Sequence, residues 1–191
     1  MKKIKAFEEV HKIYDQCKKC DLHLLPYKKV ISNNNINGKI MLIGEAPGQT
    51  EQNVGIPFVG KSGELLRFTL TNNGFKANDL LITNTVACWT GIGNPKPLDK
   101  QIEKCFDRVL MLTMIIEPKV IIAVGKIAYE TILKYFDNDL DYITFQNMEG
   151  DIIKIKLYKI FHPSYILRDN SKKNDWIEKI KKIYREIYQL F

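Results

Sequence analysis

Four cysteines, three histidines and a few carboxylates and amides hold most of the chemistry this chain can offer. Cys17 and Cys20, with two residues between them, put two sulfurs within reach of one metal centre, and Cys88 and Cys105 can complete four thiolates. Such a set suits tetrahedral zinc or a 4Fe-4S cluster. Spacing alone does not choose between them, although a zinc ribbon would usually show two close pairs. In a chain read as intracellular, grouped cysteines point to metal or redox chemistry rather than to disulfides.

A second set of polar residues lies along the chain. Glu45 and Glu51 sit on a stretch shaped by Gly44, Pro47 and Gly48, and either carboxylate can position water as a general base. Phe58, between Pro57 and Val59, is either a core residue or a flat face for a planar base. Asn84 carries donors and an acceptor, so it can read the edge of an extruded pyrimidine or cap a turn. His162 opens the run His162-Pro163-Ser164-Tyr165-Ile166-Leu167-Arg168, in which apolar residues end on a basic one. That order fits a wedge entering a base stack, or a structural histidine beside a segment turning into the core.

One pattern misleads. Gly55-Ile56-Pro57-Phe58-Val59-Gly60-Lys61-Ser62 matches the phosphate-loop consensus letter for letter. Such a loop needs a strand before it and an open row of backbone amides. Here Gln49 to Val54 is polar, and Pro57 lacks an amide hydrogen. A rigid loop presenting Phe58 is the preferred reading, with Ser62 and Gly63 leading into a helix.

These residues need elements to position them. Residues 1–16 read as an amphipathic helix with Ile4, Phe7, Val10, Ile13 and Tyr14 at helical spacing. Short apolar runs at 40–43, 80–83, 120–124 and 157–161 read as four strands. Helical patterns are expected over 62–73, 99–117, 126–136 and 173–191. Strands alternating with helices predict an α/β fold, a three-layer α/β/α sandwich around a four-stranded, mostly parallel sheet. Glu45, Asn84 and His162 each follow a strand, and in open parallel sheets the ligand crevice lies beyond the strands' carboxyl ends.

Composition sets the bounds. The 191 residues suffice for one domain with a substantial core, spanning 1–191. Hydrophobic residues are 45% and charged residues 27%, as in soluble globular proteins. Glu8, Glu9, His11 and Lys12 break up any leader-like apolar run, and nothing approaches the roughly 18 apolar residues of a membrane span. A cytoplasmic monomer without a membrane partner is expected. The formal charge of +7, from 29 basic and 22 acidic residues, fits a polyanionic partner or a merely lysine-rich chain.

Taken together, Gly44-Glu45-Ala46-Pro47-Gly48, Pro57-Phe58-Val59-Gly60, Thr83-Asn84, the four cysteines and His162-Pro163-Ser164 resemble the family 4 uracil-DNA glycosylases. The resemblance runs from about Cys17 to the last helix. It implies a four-stranded parallel sheet between helices, and excision of uracil from DNA to leave an abasic site, without strand cleavage. It also implies a 4Fe-4S cluster on Cys17, Cys20, Cys88 and Cys105, binding the N-terminal helix to the fold. By the same resemblance Glu45 is the catalytic carboxylate, Glu51 a second glutamate near the site, and His162 faces the leaving base. Phe58 stacks on uracil, Asn84 reads it, and Gly44 and Ala46 lie beside it. Ile166 takes the wedge position, with Ser164, Arg168 and Lys61 toward DNA. Departures are confined mainly to the third cysteine: a usual Lys-Cys-Arg-Pro-Pro run is Ala87-Cys88-Trp89-Thr90-Gly91 here, and an Asn-Arg becomes Asn94-Pro95. The Glu-Asp pair of the first motif is Glu51-Gln52. A catalytically silent DNA-binding relative and a phosphate-loop nucleotide enzyme dependent on Lys61 are the competing readings.

Overall fold

The computed structural model describes residues 2–139, 141–147 and 149–189. In chain order its elements are α1 (Lys2–Asp15), β1 (Ile40–Gly44), α2 (Gln49–Val54), α3 (Lys61–Asn72), β2 (Leu80–Asn84), α4 (Asp99–Ile116), β3 (Val120–Val124) and α5 (Lys126–Tyr135). There follow β4 (Asp137–Asp139), β5 (Tyr142–Gln146), β6 (Ile152–Ile160), α6 (Pro163–Arg168) and α7 (Lys173–Tyr188). The expected helices appear with ends shifted by a few residues at most; positions 190 and 191 of the last expected helix, and position 1 of the first, lie outside the described residues.

The strands form one sheet in the order β2-β1-β3-β6-β5-β4. The first four are mutually parallel, and every position of β1, β2 and β3 is buried, as continuous apolar runs between two helical layers require. Side chains alternate with period two. Met41, Ile43, Leu81, Ile121, Ala123 and Leu157 join a core with Phe7, Val10 and Tyr14 of α1, Phe106, Val109 and Leu112 of α4, and Ile132 of α5. Ile40, Leu42, Ile82, Ile122, Val124 and Ile160 face Leu66 and Leu70 of α3, Ile166 of α6, and Trp176, Ile180 and Ile183 of α7. The α/β sandwich is the expected one.

The sheet has six strands rather than four. β5 and β4 extend it antiparallel beyond β6, and β6 itself begins at Ile152, ahead of the expected 157. β4 is Asp-Asn-Asp, all exposed, so no apolar periodicity announces it; it forms because β5 offers a free edge. The opposite edge, on β2, is closed by Asn33. Its backbone amide donates to the Ile82 carbonyl at 3.0 Å. Its side chain accepts from the Ile82 amide at 2.9 Å and donates to the Leu80 carbonyl at 2.9 Å. No helix among the described residues is long and apolar enough to cross a membrane.

Candidate active site

The parallel strands deliver their carboxyl ends to one rim. Gly44 of β1 pairs with Asn84 of β2, and Gly125, just after β3, lies against His162, just after β6. Above them is a cleft of about 210 Å³ whose wall includes Ala46, Pro47, Glu51, Phe58, Asn84 and His162. Lys61 and Ser164 border it as well.

Asn84 is 1% exposed, and neither its Oδ1 nor its Nδ2 has a hydrogen-bond partner in the protein. A buried amide left unpaired costs about 1–3 kcal/mol, so such a group calls for a ligand. Phe58 occupies left-handed backbone, φ +55°, unusual for a bulky residue. Two side chains hold it there. Arg67 donates from Nε to the Phe58 carbonyl and from Nη2 to the Pro57 carbonyl, both at 2.8 Å. Glu51 Oε1 accepts the amides of Val59 and Gly60, both at 2.9 Å. Gly63 lets this loop close against α3, because a Cβ there would lie 2.0 Å from the Phe58 carbonyl carbon.

The same bonds exclude a phosphate loop. Gly55–Ser62 follows helix α2 rather than a strand, and the Glu51 carboxylate already occupies two of the amides a phosphate would need.

His162 stacks obliquely against Phe58, with ring centroids 5.9 Å apart. Its Nδ1 accepts the Ser164 amide at 3.2 Å and lies 2.8 Å from the Ser164 hydroxyl. An acceptor Nδ1 assigns the ring proton to Nε2, which can then donate. Burial, reinforced by repulsion from Arg168 and opposed by Glu51, lowers the His162 pKa to about 4, so the ring is neutral at neutral pH. Glu45, half-buried, does not line the cleft but immediately precedes Ala46, which does. Burial raises its pKa above the ordinary carboxylate value, and the charge of Lys96 opposes that rise.

The expected residues are thus largely brought together. Ala46, Glu51, Phe58, Lys61, Asn84, His162 and Ser164 border the cleft, and Gly44 lies beneath Phe58 and Asn84. Arg168 is exposed at the end of α6. Ile166 is a correction: it is 1% exposed, packed under α6 in the core, and cannot reach a base stack without unfolding that helix. The exposed apolar side chain beside it is Leu167, at 53%. Helical geometry turns one of two adjacent leucine-like residues inward, which a linear run does not reveal.

Cys17, Cys20, Cys88 and Cys105 line one small apolar cavity between the end of α1, the segment after β2 and α4. All four are free thiols. Burial pushes Cys88 up to about 12, with the sulfurs of Cys105, Cys20 and Cys17 adding to the rise and Lys29 opposing it. Among the described residues, no three His, Cys, Asp or Glu side chains are grouped to hold a single metal ion.

Arg67 and Arg108 escaped the sequence reading, and Lys96, next after Asn94-Pro95, carried no assigned role there. Arg108 left a signal: it stands on α4 between Cys105 and Leu112, on the apolar face, where a charge is out of place.

Open α/β sheets bind their ligands at the carboxyl ends of the parallel strands, where this cleft lies. The sequence model described as "Uracil DNA glycosylase superfamily" matches residues 31–186, and the chain belongs to that superfamily. Type-4 uracil-DNA glycosylases are among its relatives. That of Thermotoga maritima is 34% identical, over 82% of this chain and 80% of its own length. That of Archaeoglobus fulgidus is 30% identical over 94% and 92%, and that of Pyrobaculum aerophilum 30% over 84% of each.

Proposed function

We propose that this protein removes uracil from DNA by hydrolysing its bond to deoxyribose, leaving an abasic site. The observation that carries this reading is the buried, unpartnered amide of Asn84 in a cleft walled by Phe58 and His162. An edge with donor and acceptor, an aromatic face and a neutral donor together match one flipped pyrimidine. The type-4 uracil-DNA glycosylase relatives support the same substrate.

In this reading Asn84 bonds the O4 and N3 edge of uracil, and Phe58 stacks on its ring. Gly44 and Ala46 keep the wall thin enough for the base to enter. As the C1′–N1 bond lengthens, negative charge gathers on uracil O2, where the Nε2–H of neutral His162 stabilises it. Charge on the sugar becomes oxocarbenium-like. Water oriented by Glu45 attacks C1′, and burial keeps that carboxylate basic enough to accept its proton. Glu51 acts at one remove, through the loop that carries Phe58. Lys61, Ser164 and Arg168 meet the DNA backbone, and Leu167, in place of Ile166, enters the stack.

The four cysteines fit a cofactor: free sulfurs converge on one apolar cavity, and the Ala87 amide already donates to Cys105 Sγ at 3.3 Å. A single zinc would draw its four sulfurs to about 3.8 Å from one another, whereas a 4Fe-4S cluster binds one thiolate per iron and spreads them further. Bound there it would cross-link α1 to α4 and to the segment after β2, a structural role.

The test incubates a uracil-bearing duplex with the protein and then alkali. Strand scission at uracil, abolished in Asn84→Ala at unchanged thermal stability, is the expected result. Binding without scission would assign the chain to a catalytically silent relative.

A further inference from the structure

The guanidinium of Arg108 is wholly buried beneath the carboxyl end of β2, at 0% exposure. Its Nη1 donates to the Ile31 carbonyl at 2.8 Å and to the Thr83 hydroxyl at 2.5 Å, and its Nη2 donates to the Asn84 carbonyl at 2.6 Å. Nε has no acceptor. Every partner is neutral, and Arg108 takes part in none of the ion pairs among the described residues. A guanidinium keeps its charge inside a protein, and an unpaired interior charge is expensive. A clamp on three oxygens needs donors, not a charge. Paired with a carboxylate, the same fork would hold the same atoms with less strain on stability.

The charge is felt nearby. Across the interface on α1, His11 has its pKa lowered first by burial and further by repulsion from Arg108, against a raising bond to the Phe7 carbonyl. On the other side lies Asn84, whose backbone Arg108 grips and whose amide faces the cleft.

We propose that Arg108 is a positioning residue of the active site: it fixes the backbone of Asn84 and, through a charge no carboxylate neutralises, sets a positive potential at the buried end of the cleft that favours departure of the base as an anion. The inference rests on the uracil-excising reading above. In the step concerned, the C1′–N1 bond breaks and its electron pair goes to the pyrimidine. Water adds its hydroxyl to C1′ and its proton to Glu45, and the base regains a proton on release. Fixed charge that precedes the reaction lowers the barrier without reorganising.

Uracil and 5-fluorouracil separate charge from scaffold, because fluorine stabilises the leaving anion and lessens its need for outside help. Single-turnover excision of each base, in the same duplex, is measured for the wild type and for Arg108→Lys, Arg108→Gln and Arg108→Met. Loss of the charge should slow uracil excision roughly 30-fold, the effect of a unit charge over about 8 Å at an effective dielectric near 20. 5-Fluorouracil should slow by several-fold less, so the ratio of the two rates rises in the Gln and Met variants. Arg108→Lys, which keeps the charge and loses the fork, should hold the wild-type ratio even where both rates fall. The ratio is internal to each preparation, so partial unfolding cancels, and Met gives a second neutral variant where Gln folds poorly. Equal slowing of both bases in the neutral variants, or the same ratio change in Lys as in Gln, would overturn the assignment. A wild type that releases neither base would instead refute the uracil-excising reading itself.

Discussion

Gly44 is the smallest place to disturb the site. A Cβ on it would lie 2.3 Å from Asn84 Oδ1 and 2.5 Å and 2.7 Å from Cζ and Cε2 of Phe58. Ordinary contact needs about 3.4 Å, so Gly44→Ala forces a retreat of about 1 Å. Neither neighbour can give through its backbone: Arg67 and Glu51 pin the Phe58 loop, and Arg108 grips the Asn84 carbonyl. The amide must therefore rotate and the ring tilt. A misplacement of that size near reacting groups costs about 100-fold in rate, while overpacking by one methyl costs only about 1–3 kcal/mol of stability. Single-turnover excision from a uracil duplex, beside thermal unfolding of the same preparations, checks both numbers. A rate within threefold of wild type would show that the cleft floor is soft and that Asn84 and Phe58 are not held as described.

Three other outcomes follow from the same geometry. Lys96→Ala removes the charge that opposes the raised pKa of Glu45, so the acid limb of the excision rate should move to higher pH while the plateau rate holds; an unmoved limb separates Glu45 from the proton transfer. Leu167→Ala should slow excision from duplex about tenfold and leave single-stranded substrate nearly unchanged, because only paired DNA needs the stack opened. Glu51→Ala strips two amides of their acceptor and should lower the Tm by roughly 3–10 °C while raising KM through a looser Phe58; a fall in kcat alone would return Glu51 to the chemistry.

Much of this was legible in the residues. The apolar runs of β1, β2 and β3 name themselves because both faces are covered, and the polar residues after each strand name the rim. Asn84 and His162 stand after strands in the sequence and border the cleft in the structure. What the chain hid were properties of surroundings. β4 carries no pattern, since an outermost strand has no second neighbour to satisfy. Ile166 and Leu167 are chemically alike, and only the rotation of α6 separates core from surface. Glu51 reads as a catalytic carboxylate until the amides of Val59 and Gly60 are seen to claim it. Arg67 is an ordinary helix residue in sequence and a clamp only in space.

Asn33 has a wider consequence. By lending its side chain to Leu80 and Ile82, it gives the sheet a false final strand one residue long. On the far flank, Asp137 and Asp139 set negative charge along the outermost ribbon. A second molecule seeking to add its own backbone finds one flank occupied and the other repellent. Edge-to-edge joining of two such sheets is thereby disfavoured at both flanks.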